Sequence, residues 1–280
     1  MKILLAGSGD IAQRVALKLT DQHQFFGLKR QPVNLPHGIT PLTGDLTDAA
    51  CLDSVFREGF DMVVATLTPD SFTDEGYQKA YVDSSAALSL AINNAGHKPK
   101  LVIWVSSTSV YGQTLGSWVN EDSPANSATF SGRALLQAER HILGLPCAKA
   151  VVRFSGIYGP GRTRMLDQVL EGVGCPAEPE QWSNRIHSED CAGVIAHLIR
   201  LNEQQVPLSE IYVATDCEPV TQHELCSWLT ARLNVSLVKE RTNARSARRC
   251  SNKKLLDSGY KFIFPTYREG YSALIEELKG

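Results

Sequence analysis

The sequence predicts an α/β fold, a doubly wound parallel sheet with a smaller C-terminal substrate-binding region. Two observations carry the prediction. Short apolar runs alternate with helix-patterned stretches through the first half of the chain, a pattern that joins parallel strands by right-handed crossovers. The central runs are apolar along their length, not at every second residue, as strands covered on both faces must be. At about 150 residues per domain, the 280 residues fit one large domain or two small ones.

The strand-like runs are 3–6, 25–28, 62–66, 101–106 and 150–154, each short and bounded by turn or polar residues. The helix-like stretches are 11–19, 49–57, 75–93 and 131–143, and Ala80, Ala87, Leu90, Ala91 and Ala95 recur at helical spacing. Residues 156–161 have loop chemistry, and 165–171 fit a helix. Two prolines and two glycines make 172–179 an irregular excursion. Residues 191–201 are patterned as a helix and 211–214 as a buried strand. Thr221 with Glu224 three residues on is a capping-box signature. The expected division is a dinucleotide-binding domain over 1–160, with 186–215 returning to it, and a smaller region over 161–280.

Composition removes several function classes. Apolar residues at 43% and charged residues at 21% describe an ordinary globular chain. A net charge of −2 lacks the basic excess of a nucleic-acid binder. The longest apolar runs, such as 101–105, fall far below the roughly 20 residues of a membrane span. The apolar run before Gly7 is too short for a secretory signal. Seven scattered cysteines, none at CxxC spacing, argue against a zinc site or a disulfide framework. The expectation is a cytoplasmic protein with free thiols, a small-molecule ligand, and neither nucleic acid nor membrane as partner.

The sharpest motif opens the chain. The run 3–6 leads into Gly7-Ser8-Gly9-Asp10-Ile11-Ala12, a G-x-G-x-x-A between a strand and a helix. Gly7 permits a tight turn, Gly9 lets backbone approach a pyrophosphate, and Ala12 lets helix and strand pack closely. The free N–H groups at the helix start, over Asp10, Ile11 and Ala12, favour an anion. Such a fold places an acidic residue about 20 positions on when it holds the ribose 2′-hydroxyl of NAD. Lys29 and Arg30 stand there instead, and two cations suit the 2′-phosphate of NADP. NADP is therefore the expected cofactor, with NAD as the alternative; the plainer reading of the pair is a solvated basic loop.

The glycine loop is followed in order by Gly44-Asp45-Leu46-Thr47-Asp48, by 104–112 (Trp-Val-Ser-Ser-Thr-Ser-Val-Tyr-Gly), by 152–161 (Val-Arg-Phe-Ser-Gly-Ile-Tyr-Gly-Pro-Gly) and by Arg185-Ile186-His187-Ser188-Glu189-Asp190. This ordered set resembles the extended short-chain dehydrogenase/reductases, the NAD(P)-dependent epimerase/dehydratase group, over nearly the whole chain. The resemblance implies a Rossmann-type fold. It puts Asp45 and Leu46 beside the adenine, Thr66 along the cofactor's path, and Ser107 at the reacting hydroxyl or keto oxygen. A strand-end serine that satisfies backbone is the alternative for Ser107. The resemblance also implies pairing of two copies through the helices 75–93 and 131–143.

The chain departs from that family at the proton-transfer pair. The family's chemistry uses Tyr-x-x-x-Lys on one helix, where the cation lowers the phenol's pKa. With the register set by Gly132 and Glu139, Ser131 stands at the tyrosine position and Leu135 at the lysine position. Tyr111, Tyr158 and His187 are the candidate substitutes; Tyr158 follows the strand that reaches the nicotinamide, with a loop tyrosine packed at the domain junction as the alternative, and His187 can titrate near neutrality, although the resemblance implies a mostly structural segment there. Only 162–186 separate the 156–161 loop from the His187 segment, so a small substrate pocket is expected. The cations at 239, 241, 245, 248, 249, 253 and 254 could hold a substrate phosphate or carboxylate, with Arg248 or Arg249 foremost; a solvated face is the alternative. Two functions follow as expectations. One is an NADP(H)-binding oxidoreductase or epimerase-like protein with altered proton-transfer groups. The other is a non-catalytic dinucleotide sensor.

Overall fold

The computed structural model describes residues 1–241 and 248–278. The chain divides into two compact units. The first holds Met1–Val110, Ala125–Arg153 and Ala192–Tyr212; the second holds Tyr111–Pro124, Phe154–Cys191 and Val213–Gly280.

The main sheet has seven strands: β1 (Lys2–Ala6), β2 (Gln24–Lys29), β3 (Ile39–Thr43), β4 (Met62–Ala65), β5 (Leu101–Ser107), β6 (Ala148–Phe154) and β7 (Ile211–Ala214). Their order is β7-β6-β5-β4-β1-β2-β3. Pairing is parallel at each step from β3 to β5. The order reverses between β1 and β4, which makes the topological switch point of a Rossmann-type sheet, where ligands bind. Ile3, Leu4 and Leu5 of β1 and Leu101, Val102 and Ile103 of β5 are fully buried. That is the two-sided burial that their unbroken apolar pattern predicts.

The helices α1 (Asp10–Leu19), α2 (Ala49–Phe56) and α4 (Phe130–Leu143) lie where the periodicity places them, and α3 (Ser84–Asn94) covers the second half of the expected 75–93. Two elements differ from expectation. β3 went unpredicted because it is a sheet-edge strand, mostly exposed, with Pro41 inside it; an edge tolerates proline and shows little apolar patterning. The expected single helix over 75–93 is a short helix Asp74–Tyr77, a π-helical turn Gln78–Asp83, and then α3. Its core face is Ser84, Ser85, Leu88, Ala91 and Ile92, so Leu90 of the expected stripe is exposed.

The first unit also ends earlier than 1–160. It stops at Arg153, yields Tyr111–Pro124 to the second unit, and regains Ala192–Tyr212. Backbone pairing ties Tyr111–Pro124 to the second unit: the short strand Ser117–Val119 pairs in parallel with Arg248–Cys250. In the second unit, the helices α5 (Arg164–Leu170), α7 (Gln222–Leu233) and α8 (Tyr267–Glu277) bury Leu166, Val169, Leu225, Leu229, Tyr271 and Leu274 around Tyr158. Between α5 and α7, α6 (Ser188–Glu203) runs from one unit's sequence into the other's. The capping box at Thr221 and Glu224 forms as predicted.

Candidate active site

The site starts at a crowded turn. Gly7 has φ +86°, and a Cβ there would lie 2.5 Å from the Thr66 carbonyl oxygen. Gly7 N–H donates to Leu28 O at 3.2 Å, Thr66 N–H to Ala6 O at 3.0 Å, and the Thr66 hydroxyl to Gly7 O at 2.7 Å. Three strand ends, β1, β2 and β4, thus close around one residue, and only glycine fits both the space and the angle.

Gly9 is a glycine for a different reason. Its φ of −80° suits any residue, and a Cβ there would meet nothing within 4 Å. Its bare backbone faces a cavity of about 530 Å³ lined by the glycine loop, the ends of β2 and β4, Gly44 to Thr47, and the π-helical turn. Gly9 is also the N-cap of α1, and no side chain caps that helix. A helix start without a side-chain cap is the kind of end at which anions bind. Ser8 lines the same cavity with a fully buried hydroxyl that has no hydrogen-bond partner. Sequence reasoning passed over it, because it fills a variable position of the motif.

The other predicted cofactor residues divide. Ile11 and Ala12 are buried beneath the loop, the Asp10 carboxylate pairs with Arg14 at 2.7 Å, and none of the three lines the cavity. Lys29, Arg30, Asp45, Leu46 and Thr66 all line the cavity. Asp45 Oδ1 accepts Thr47 N–H at 3.0 Å and the Thr47 hydroxyl at 2.9 Å. The Thr47 N–H bond is the main reason that the Asp45 carboxyl sits below the usual carboxylate range. Arg30 grips Asp70 with both terminal guanidinium nitrogens, at 2.9 and 2.8 Å. Asp70 and Lys79, both unlisted by the motif, line the cavity too.

Ser107 ends β5, half-buried, and its hydroxyl oxygen accepts Ser109 N–H at 3.1 Å. The strand-end role is therefore filled, while the hydroxyl proton is left to donate. Behind it, Ser106 donates to Glu139 at 2.6 Å, and Arg153 forks onto the same carboxylate at 3.0 and 2.6 Å. This buried group holds α4 against β5 and β6. Gly132 of α4 is pressed against Ser127 and the Ser109 carbonyl oxygen. Ser131 and Leu135 are both buried, and α4 contains neither tyrosine nor lysine.

Tyr158 and His187 are both buried among aromatic side chains of the second unit, the packed arrangement that is the alternative to a catalytic role. Tyr158 is 1% exposed, stacks on Tyr271 at 4.4 Å, and its hydroxyl has no hydrogen-bond partner. Burial pushes its phenol above the usual range, the wrong direction for an acid working near neutrality. His187 is 3% exposed, lies 4.1 Å from the Phe264 ring, and its Nδ1 accepts Glu189 N–H at 3.2 Å. Tyr111 is likewise buried, with its hydroxyl on Asn120 O at 2.7 Å.

The two arginines expected to meet substrate are held within the second unit. Arg249 donates to Gly116 O at 2.8 Å and lies between the Trp118 and Trp182 rings. Burial lowers the pKa of Arg248. Arg245 lies outside the described residues. All seven cysteines are free thiols. Among the described residues no His, Cys, Asp and Glu cluster suits a metal ion, and no helix is long and apolar enough to cross a membrane.

Comparison with known proteins agrees with this architecture. The family described as RmlD substrate binding domain matches residues 1–279. A Methylobacillus flagellatus structure described as an NAD-dependent epimerase/dehydratase is 35% identical, with a TM-score of 0.85 over 100% of this chain and 99% of that one. Human epimerase family protein SDR39U1, solved with NADPH, shares the fold at 20% identity, with a TM-score of 0.76 over 95% of this chain and 96% of that one. Protein YeeZ of Escherichia coli K12 is 28% identical over 180 residues, which span 57% of this chain and 64% of that protein.

Proposed function

We propose that this chain, which belongs to the RmlD substrate binding domain family of the extended short-chain dehydrogenase/reductases, binds a nicotinamide dinucleotide, NADP(H) first and NAD(H) second. It is read as an oxidoreductase or epimerase-like protein with altered proton-transfer residues. One observation carries the reading: a bare Gly9 backbone and an uncapped helix start face a cavity of about 530 Å³ at the switch point. A volume of that size is ordinary for a cofactor site. The unpartnered Ser8 hydroxyl and the open space at Gly9 fit a pyrophosphate.

In this reading the N–H groups of Gly9 to Ala12 hold the pyrophosphate, and Asp45 with Leu46 flanks the adenine. Lys29 and Arg30 meet the 2′-phosphate, and Thr66 fixes the loop that the cofactor crosses. The cofactor supplies hydride transfer when bound. Ser107 donates its free hydroxyl proton in a hydrogen bond to the reacting oxygen and so orients the substrate. Arg248 and Arg249 are proposed to hold an anionic group of the substrate. Two copies pair through α3 and α4.

A second reading follows from α4. Without tyrosine or lysine on that helix, the protein would bind the dinucleotide and pass its level to a partner without turnover. Titration with NADPH and NADH, followed by nicotinamide fluorescence, tests the shared premise. Binding of neither ends both readings. Hydride exchange between the bound cofactor and a carbonyl screen then separates enzyme from sensor.

A further inference from the structure

Resting on the dinucleotide reading of the cavity, we propose that Asp70 sets how strongly this protein prefers a 2′-phosphate over a 2′-hydroxyl. Asp70 holds, in the free protein, the guanidinium fork that the phosphate would use.

The geometry is bidentate: Arg30 Nη1 to Asp70 Oδ2 at 2.9 Å and Nη2 to Oδ1 at 2.8 Å. A carboxylate and a phosphate offer a guanidinium the same pair of oxygens, so they compete for it. Both side chains line the cavity, at 55% and 65% exposure. An ion pair so exposed is weakly held and gives way to a better partner. A phosphate that takes Arg30 leaves Asp70 unpaired beside it, a like charge that opposes binding.

The rest of the rim does not offset this. The cations lining the cavity are Lys29, Arg30 and Lys79, and the carboxylates are Asp45, Asp70 and Glu75, three of each sign. Asp45 is already turned onto Thr47. Asp70 is the carboxylate that engages the guanidinium, and Arg30 holds its carboxyl below the usual range. A cofactor with a free 2′-hydroxyl leaves the bridge intact. Asp70 therefore weakens NADP(H) binding while NAD(H) binding is indifferent to it, and the two cofactors are brought toward equal use.

The test is the affinity of the full chain for NADPH and NADH as wild type, Asp70→Asn, Arg30→Gln and the double variant. Asp70→Asn should tighten NADPH about 10-fold, which is about 1.4 kcal/mol, and leave NADH within about twofold. In the Arg30→Gln background the gain should fall below about threefold, since competition for the fork is gone and only repulsion remains. In wild-type Arg30, the gain should also shrink in high salt. Equal tightening of both cofactors, or no change in either, overturns the role of Asp70. Failure of wild type to bind either cofactor overturns the dinucleotide reading instead, so the two failures are distinct. Both positions are exposed, and unchanged thermal melting of each variant excludes misfolding as the cause.

Discussion

Two buried carboxyl groups, one in each unit, are built in opposite ways. Glu139, 2% exposed, takes the Ser106 hydroxyl and both arms of the Arg153 guanidinium. Asp216, 1% exposed, has one long bond, from Glu218 N–H to Oδ1 at 3.3 Å, and its Oδ2 has no hydrogen-bond partner. Burial is the largest influence on Asp216 and pushes its carboxyl up to about 8. Burial alone does not decide what a carboxyl group does; its partners do. The first is a charged brace that fixes α4 behind the candidate site. The second is a neutral acid at pH 7, held in a second-unit interior where the Tyr158, Ser155 and Ser188 hydroxyls also have no partner.

Removing the brace should have the largest effect. Glu139→Ala strands a buried guanidinium, which costs about 3–5 kcal/mol. Chemical denaturation should register the loss, and α4 should be the first element to lose hydrogen-exchange protection. A loss below about 1 kcal/mol would mean that Arg153 finds another partner and that the contrast with Asp216 is false.

The two glycines of the loop sharpen the contrast within the first unit. Gly7→Ala combines a φ of +86° with a Cβ 2.5 Å from Thr66 O, and strain of this kind costs about 1–3 kcal/mol. Gly9→Ala meets no atom and keeps an ordinary φ, so its stability should fall by less than about 1 kcal/mol, the loss of a glycine N-cap. Its NADPH affinity should nevertheless fall at least about 10-fold, because the new methyl occupies pyrophosphate space. Equal stability loss in both variants would show that Gly9 is structural after all.

These cases mark what the sequence made legible. The strand-loop-helix context of Gly7 and Gly9 was readable because one short segment contains the whole device. The parallel sheet was readable because two-sided burial demands unbroken apolar runs, as in 3–6 and 101–105. Asp70 was not readable: its significance comes from a partner 40 residues away, Arg30, across a chain reversal. A packed Tyr158 was readable from its loop setting, but its partners were not, since Tyr271 and Gly270 reach it from the far end of the chain. β3, exposed and interrupted by Pro41, carries no local pattern to read.

Asp216 should reveal itself through pH. A carboxyl raised to about 8 when folded, against about 3.9 unfolded, binds a proton in the native state that the unfolded chain has released. Its contribution is complete below about pH 4 and is lost as pH rises through about 8. Wild-type stability should therefore decline from pH 5 to 8, by about 1–2 kcal/mol from this group after local relaxation. Asp216→Asn, which cannot ionise, should remove that part of the slope. An unchanged slope would place the Asp216 carboxyl among the ordinary ionised acids and erase its difference from Glu139.

Ser107→Ala should change stability little and chemistry most selectively. The bond from Ser109 N–H to the Ser107 hydroxyl contributes about 0.5–1.5 kcal/mol, and the site is only half-buried, so the lower end is expected. Cofactor affinity should be unaffected, because Ser107 is not among the residues lining the cavity at the glycine loop. If the hydroxyl orients a reacting oxygen, hydride exchange should fall about 100-fold with bound cofactor unchanged, the loss typical of one donor at such an oxygen. Retained exchange in Ser107→Ala would reduce this serine to the strand-end role that its Ser109 bond already fills. The first unit would then be left with a cavity at the switch point and no side chain assigned to the reaction, as the sensor reading requires.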